Sequence, residues 1–254
     1  VAYLPPLFEA PVLKIPPHPE AEVERVKGLM RCLDGSARIA LMEWKSFITP
    51  VDEPLGLIDR IKQIKHGDEI TRDRLQDWLH ALGYMRQDLT TSPGEYSFRG
   101  AVVDIFSPYH DSPVRIEFEA DRVISLRTFD PFTQLSRDPL ASISVIPLHE
   151  RASAHGNVME YLPGFRVVVE EPDQIAGELE QWREGLQRQV DLATDLDLDD
   201  AASPHLARLL EGIDRLEQIL RSRPLSLQTF APAGFETGMR PVRAYQGLIE
   251  EWVR

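Results

Sequence analysis

The stretch that decides the fold of this chain is residues 93–106, which read PGEYSFRGAVVDIF. Within it, Tyr96 and Phe98 alternate with polar neighbours, and residues 102–106 continue in an extended, apolar pattern. Alternation with a period of two residues is typical of a strand that buries one face. Together with the turn residues and the regularly placed arginines, this pattern predicts a compact antiparallel sheet with a charged outer face.

The residues on either side of this stretch extend the same unit. Downstream, residues 114–118 and 123–129 read as two strands joined by a turn at Ala120-Asp121, and residues 143–147 read as a last short strand. Upstream, Thr71 is a suitable N-cap for a helix with one apolar stripe that ends at Gly83. Residues 60–148 therefore read as a self-contained α+β domain inserted into the chain.

The flanking parts read as an α/β scaffold in two pieces, residues 1–59 and 149–254. Pro19 starts a helix that stops at Gly35, and the short apolar run at 37–42 suits a buried strand. The pattern after residue 149 predicts a series of further elements. These are a short helix at 158–162, a buried strand at 165–169, a long helix from Pro172, an acidic loop at 195–200, a helix at 206–220, a strand at 225–230 and a helix at 245–253. Helices that alternate with buried strands favour the α/β class.

The amino-acid composition excludes several classes of function for this chain. Hydrophobic residues make up 43% of the 254 positions and charged residues 27%, as in an ordinary globular protein. The net charge of −13, without a dense Lys/Arg run, argues against intrinsic nucleic-acid binding. Cys32 is the only cysteine, so an intramolecular disulfide and a cysteine-based zinc site are excluded. We expect no membrane span and a cytoplasmic location, and a start at Val1 suggests a piece of a longer protein.

Motifs for catalysis or cofactor binding were sought and not found. The chain has neither G-x-x-x-x-G-K-[ST] nor G-x-G-x-x-G, so ATP hydrolysis by this segment is not expected. Its seven histidines show no H-x-x-x-H or H-E-x-x-H spacing, and the acidic run 195–200 lacks the glycine and terminal glutamate of an EF-hand loop. We therefore predict no catalytic residues, no cofactor and no metal site.

The arginines on the predicted sheet allow two interpretations. In the first, Arg99, Arg115 and Arg127 are exposed strand residues that pair with Glu117 and Glu119 across the sheet, each pair contributing about 0.2–1 kcal/mol. In the second, Arg99 and Arg115 bind a protein partner, because guanidinium groups bind carboxylates in a bidentate manner and arginine is enriched at interface hot spots.

A resemblance to a known family favours the second interpretation. It rests on a series of ordered segments: GYMR at 83–86, PGEYSFRG at 93–100, VDIF at 103–106, PVRIEF at 113–118 and FDPFTQ at 129–134. These segments resemble the second domain shared by UvrB and the bacterial transcription-repair coupling factor Mfd. EYLP at 160–163 and VVVEEP at 167–172 are similar to the start of the next subdomain of that family. The region near the N-terminus lacks the tyrosine-rich hairpin of UvrB and looks more like the coupling factor.

The resemblance implies a degenerate helicase-like (RecA/UvrB-like) α/β scaffold without ATPase activity, interrupted by a domain that recruits UvrA in transcription-coupled nucleotide excision repair. In that family, UvrA is contacted by the arginine of the R-G motif and by the arginine before the Ile-Glu-Phe strand. These positions are Arg99 and Arg115 here. The third contact position is usually Phe, but this chain has Glu119, and Ala120 stands where Gly is common.

Three alternatives remain open. The chain could be an ATP-dependent helicase domain of the UvrB type, which would bind nucleotide. It could be an unrelated hydrolase with an acidic pair around a deep pocket. It could also be an assembly module that contacts only other domains of its own polypeptide.

Overall fold

The computed structural model describes residues 1–7, 18–151, 155–195, 203–222 and 225–227, with side chains except in residues 189–190, 192–195, 203–205 and 225–227. The predicted helix at 245–253 and most of the acidic run 195–200 lie outside this range, as do residues 228–230 of the last predicted strand.

The helices begin and end where local chemistry predicts. Pro19 occupies the first turn of α1, where its missing N–H costs nothing, and Gly35 follows the helix end at φ +73°. The side chain of Thr71 caps α4 by accepting a hydrogen bond from Arg74 N at 3.3 Å. The α-helices of the described residues are α1 (Pro19–Leu33), α2 (Trp44–Ile48), α3 (Pro54–Arg60), α4 (Arg72–Ala81), α5 (Pro172–Asp195) and α6 (Ser203–Arg221).

A 3₁₀ helix at Val158–Tyr161 occupies the predicted short helix. Within the part of the chain that the structure describes, the strands form four sheets. They are β1 (Ala2–Leu4), β2 (Ala40–Met42), β3 (Lys62–Lys65), β4 (Met85–Arg86), β5 (Glu95–Arg99), β6 (Val102–Ile105), β7 (Val114–Glu119), β8 (Arg122–Phe129), β9 (Ser136–Pro139), β10 (Ser142–Val145), β11 (Val168–Glu170) and β12 (Leu225–Leu227).

The largest sheet among the described residues has six strands in the order β4-β5-β6-β7-β8-β9. It is antiparallel except for the parallel pair β4-β5. Three two-stranded sheets pair β1 with β2 and β11 with β12 in parallel and β3 with β10 in antiparallel. Helices together with mixed and antiparallel sheets are consistent with the predicted α/β class.

Two strand predictions need correction. The strand expected at 165–169 begins only at Val168, which is half exposed, so only Val169 of β11 is buried. The strand expected at 37–42 is limited to Ala40–Met42. In both cases the strand is shorter than the apolar run, because only three residues pair with the neighbouring strand, Ala40–Met42 with β1 and Val168–Glu170 with β12.

The buried apolar residues form two clusters. One cluster draws on the chain before residue 60 and after residue 145, with Leu29, Ile48, Tyr161 and Leu209 among its buried members. The second cluster lies entirely within residues 64–145 and packs α4 against the apolar face of the six-stranded sheet. The apolar residues of α4 and of the strands thus meet on one side of the sheet, which leaves the other side for polar residues.

A buried ion pair connects distant parts of the first cluster. Arg25 of α1 is fully buried, and its Nε donates to Glu150 Oε1 at 2.7 Å. Its remaining N–H groups donate to the Ser46 side chain and to carbonyl oxygens of Pro5, Ser46 and Thr49. A buried charge is tolerated only with such pairing, so this network ties α1 to α2 and to the chain after β10.

Among the described residues, no helix is both long enough and apolar enough to cross a membrane.

Candidate functional site

The candidate site lies on the outer face of the six-stranded sheet, opposite the second cluster. In β7, Val114, Ile116 and Phe118 are buried against the apolar core, so the period of two residues places Arg115 on the opposite face. The strand register then places residues of β6 and β5 beside Arg115 on the same face of the sheet. Asp104 lies opposite Arg115 on β6 and Ser97 lies opposite Asp104 on β5.

The centre of the site is the carboxylate of Asp104, whose side chain is 0% exposed. Arg115 binds it in a bidentate manner, with Nε at 2.8 Å from Oδ1 and Nη2 at 2.9 Å from Oδ2. Arg99 donates from Nη2 to the same Oδ2. One buried carboxylate thus holds two guanidinium groups side by side, and two positive charges share one negative charge.

Arg115 is largely committed to contacts within the chain. Its side chain is 15% exposed, its Nη1 donates to the Gln134 carbonyl at 3.0 Å, and its guanidinium lies 4.6 Å from the centre of the Phe129 ring. The hydrogen bonds to Asp104 raise the pKa of Arg115 above its already high ordinary value. Arg115 is therefore a fixed cation with only one edge open to solvent.

Arg99 is the more accessible of the two. Its side chain is 40% exposed, and only Nη2 donates within the described part of the chain, to Asp104 and to Gln134 Oε1 at 3.3 Å. Nε and Nη1 have no acceptor among the described residues. A guanidinium held at one corner presents those N–H groups in a defined direction.

Gln134 completes the site from the turn between β8 and β9. Its Oε1 accepts from both arginines, at 3.3 Å from Arg99 Nη2 and 3.4 Å from Arg115 Nη2. Its backbone has φ +59°, a conformation that a residue other than Gly adopts only at a cost of about 1 kcal/mol or more. The carbonyl of this strained residue thus binds Arg115, and its side chain binds both arginines.

The structure corrects the first interpretation of the arginines. Arg99 and Arg115 do not pair with Glu117 or Glu119; their carboxylate is Asp104. Glu119 lies at the exposed end of β7, beyond a register shift after Glu117, and its strand partner is Arg122. Glu119 makes no ion pair in the described part of the chain. The unpaired residue at this shift is Ile124 of β8, so β7 keeps its alternation and Glu119 stays on the same face as Arg115.

Asp104 and Gln134 were not singled out from the sequence, although both lie in quoted segments. The signal for Asp104 was the two-residue loop Gly100-Ala101, which pairs Arg99 with Val102 and brings Ser97 opposite Asp104. A charged residue between Val103 and Ile105 must face away from the core. No comparable signal indicates the backbone conformation of Gln134.

The rest of the described structure offers little for catalysis. No group of three or more His, Cys, Asp or Glu side chains within the described ranges could hold a metal ion. Cys32 is buried, and burial raises the pKa of its thiol, which disfavours the reactive thiolate. A surface cleft beside Thr49 and Asn157 has Glu211 as its only carboxylate side chain among the described residues.

Comparisons with known proteins identify the segment that carries the site. Residues 63–150 match the family described as UvrB interaction domain. The chain is 28% identical over 178 residues to the transcription-repair-coupling factor of Haemophilus influenzae, covering 70% of this chain and 15% of that protein. The corresponding protein of Bacillus subtilis is 32% identical, covering 52% of this chain and 11% of the relative.

The UvrABC system protein B of Chlorobaculum tepidum is 33% identical over 132 residues, which is 51% of this chain and 19% of that protein. The chain thus spans less than a fifth of the length of each of these three relatives. The resemblance to the shared UvrB and coupling-factor module is confirmed, and it supports a role in nucleotide excision repair.

Proposed function

Because residues 63–150 match the UvrB interaction domain, we propose that this chain is a non-catalytic, UvrB-like module of a transcription-repair coupling factor that recruits UvrA. Its place would be the cytoplasm, in transcription-coupled nucleotide excision repair. Relatives named as coupling factors support this proposal, and so does the absence of nucleotide-binding motifs from the sequence. Other domains of the same full-length protein would be its further partners.

The domain organisation is part of the proposal. Residues 60–148 would form the partner-binding domain, inserted into a degenerate helicase-like scaffold formed by residues 1–59 and 149–254. The two apolar clusters support this division, since one lies within residues 64–145 and the other combines segments from both sides. A domain with its own buried core can keep its surface unchanged while the scaffold connects it to the rest of the protein.

The observation that carries the function is the orientation of Arg99. Asp104 and Gln134 hold its Nη2, while Nε and Nη1 remain open to a foreign carboxylate. Such a fixed cation loses little side-chain entropy on binding, and a new charged hydrogen bond would contribute about 1.5–3 kcal/mol. The partner must bring an acidic group to the outer face of the sheet.

We assign different roles to Arg115 and Glu119 at the same partner-binding face. Arg115 presents only its exposed edge, so we assign it both a minor direct contact and the task of keeping Asp104 and Gln134 in place around Arg99. Glu119 lies at the exposed end of β7, where a carboxylate would repel an acidic partner and attract a basic one.

The test is a calorimetric measurement of how tightly this chain binds UvrA, with UvrA taken from the same organism. Arg99→Ala should weaken binding by about 1–3 kcal/mol while the thermal midpoint changes little, because Arg115 keeps its bidentate contact with Asp104. Arg221→Ala is the matched control, since Arg221 is an exposed arginine of α6 that pairs only with Glu217 in the described structure. Full retention of UvrA by the double variant Arg99→Ala/Arg115→Ala would contradict the assignment.

A second candidate is an ATP-dependent helicase domain of the UvrB type, favoured by the similarity to the UvrABC system protein B. This alternative predicts nucleotide binding. A calorimetric titration with ATP and magnesium that releases no heat of binding would exclude it, and a saturable signal would favour it over the first proposal.

A further inference from the structure

The turn between β8 and β9 exposes a large aromatic side chain beside the arginine pair. Phe132 is 93% exposed, and Leu135, three residues on, is 68% exposed. Single exposed apolar residues are common on protein surfaces. These two differ because they flank Gln134, whose side chain contacts both Arg99 and Arg115.

The turn that presents Phe132 is held rigidly. One carboxylate oxygen of Asp130 accepts from Phe132 N at 2.9 Å and from Thr133 N at 3.0 Å. The turn is closed by Asp130 N donating to the Leu135 carbonyl at 3.0 Å and by Gln134 N donating to the Asp130 carbonyl at 2.8 Å. The exposure of Phe132 therefore results from a fixed backbone and not from a loose loop.

The same turn residue links the aromatic side chain to the cations. Gln134 Nε2 donates to the Pro131 carbonyl at 2.8 Å while its Oε1 accepts from both guanidinium groups. Phe132 and Arg99 are thus attached to one hydrogen-bonded framework. The backbone of Phe132 and the guanidinium group of Arg99 are therefore both held by Gln134 and its turn.

We propose that Phe132 is a second contact for the protein that binds Arg99, inserting into an apolar pocket that is bordered by the acidic group bound by Arg99. This inference rests on the proposed function and adds a residue and a requirement on the partner surface. A phenylalanine with two side-chain torsions on a preorganised turn loses little entropy when it is buried. The cation fixes the register, and the aromatic ring supplies the apolar area that charge pairs lack.

The experiment measures UvrA binding to wild type, Phe132→Ala, Arg99→Ala and the control Leu55→Ala at several salt concentrations. Leu55 is an apolar residue of α3 that is also largely exposed, at 73%, and it is far from the site in the sequence and outside the second cluster. Phe132→Ala should weaken binding at least about tenfold, with the salt dependence of wild type, because no charge is removed. Arg99→Ala should weaken binding and flatten the salt dependence, and Leu55→Ala should bind as wild type does.

The outcomes separate the two proposals. If Arg99→Ala loses affinity while Phe132→Ala binds as wild type does, the inference about Phe132 is wrong and the proposed function stands. If wild type itself fails to bind UvrA, both are overturned. Phe132→Leu guards against an effect on folding, since it keeps an apolar side chain and should weaken binding less than Phe132→Ala.

Discussion

Replacing Asp104 by asparagine removes the charge on which the candidate site is built. The substitution keeps the shape of the side chain but places an NH₂ group against guanidinium donors that now lack an anion. Arg115, which is 15% exposed, would have to keep its charge with the Gln134 carbonyl, the Phe129 ring and the unbonded charge of Glu117 as neighbours. Arg99, which is 40% exposed, can turn toward water and adds little to the cost.

The size of the effect follows from these contacts. Breaking a buried ion pair by removing one partner costs about 3–5 kcal/mol, and the partial exposure of Arg115 reduces this to about 2–4 kcal/mol for Asp104→Asn. Urea unfolding followed by circular dichroism measures the free energy of unfolding, and Glu119→Gln serves as the exposed control with a change below about 0.5 kcal/mol.

A double variant tests whether the cost comes from the stranded charge. Adding Arg115→Met to Asp104→Asn should recover part of the lost stability, because the unpaired guanidinium is then gone. If Asp104→Asn alone stays within about 0.5 kcal/mol of wild type, the shared carboxylate does not hold the site together and the reasoning is refuted.

Two further predictions concern titration and the scaffold. Burial lowers the pKa of His110, and Ser144 N donates a hydrogen bond to its Nε2. As the pH falls below about 6.5, the unfolded state takes up a proton before the folded state does, so the free energy of unfolding should decrease. His110→Gln should lessen this decrease between about pH 7 and 5.5, while His149, whose pKa is also lowered by burial, leaves part of it. An unchanged slope in the pH dependence of urea unfolding would contradict this role of His110. Arg25→Ala should lower the free energy of unfolding by about 3–5 kcal/mol, because Glu150 loses its cationic partner. Arg25→Met combined with Glu150→Gln should lower it less. Equal losses of stability in thermal unfolding would show that the ion pair is not the cause.

The sequence predicted the elements whose pattern is local. Pro19 and Thr71 mark helix starts by chemistry that acts within one turn, and the alternation in residues 114–118 follows from burial of one strand face. The short helices α2 and α3 and the strands β1, β3, β4 and β9 were not predicted, since elements this short gave no usable periodic signal.

The placement of the two arginines was predicted in part, while their role in binding stays a prediction. Arg99 and Arg115 were expected together on the outer face, and the structure brings them together, but it does so through Asp104 and Gln134. The pairing with Glu117 and Glu119 was a wrong expectation, because two-residue spacing identifies a face without showing which neighbour across the sheet approaches closest. Gln134 depends on a left-handed backbone conformation that only the closed turn imposes.

The central claim is that UvrA binds on the outer face of the sheet at Arg99, and proximity tests it most directly. A photo-activatable phenylalanine at Val102, the strand partner of Arg99 and partly exposed, reports on any protein that approaches within a few bond lengths. The account predicts cross-links to UvrA from position 102 and none from the same probe at Leu55. Cross-links from position 55 without any from position 102 would contradict it.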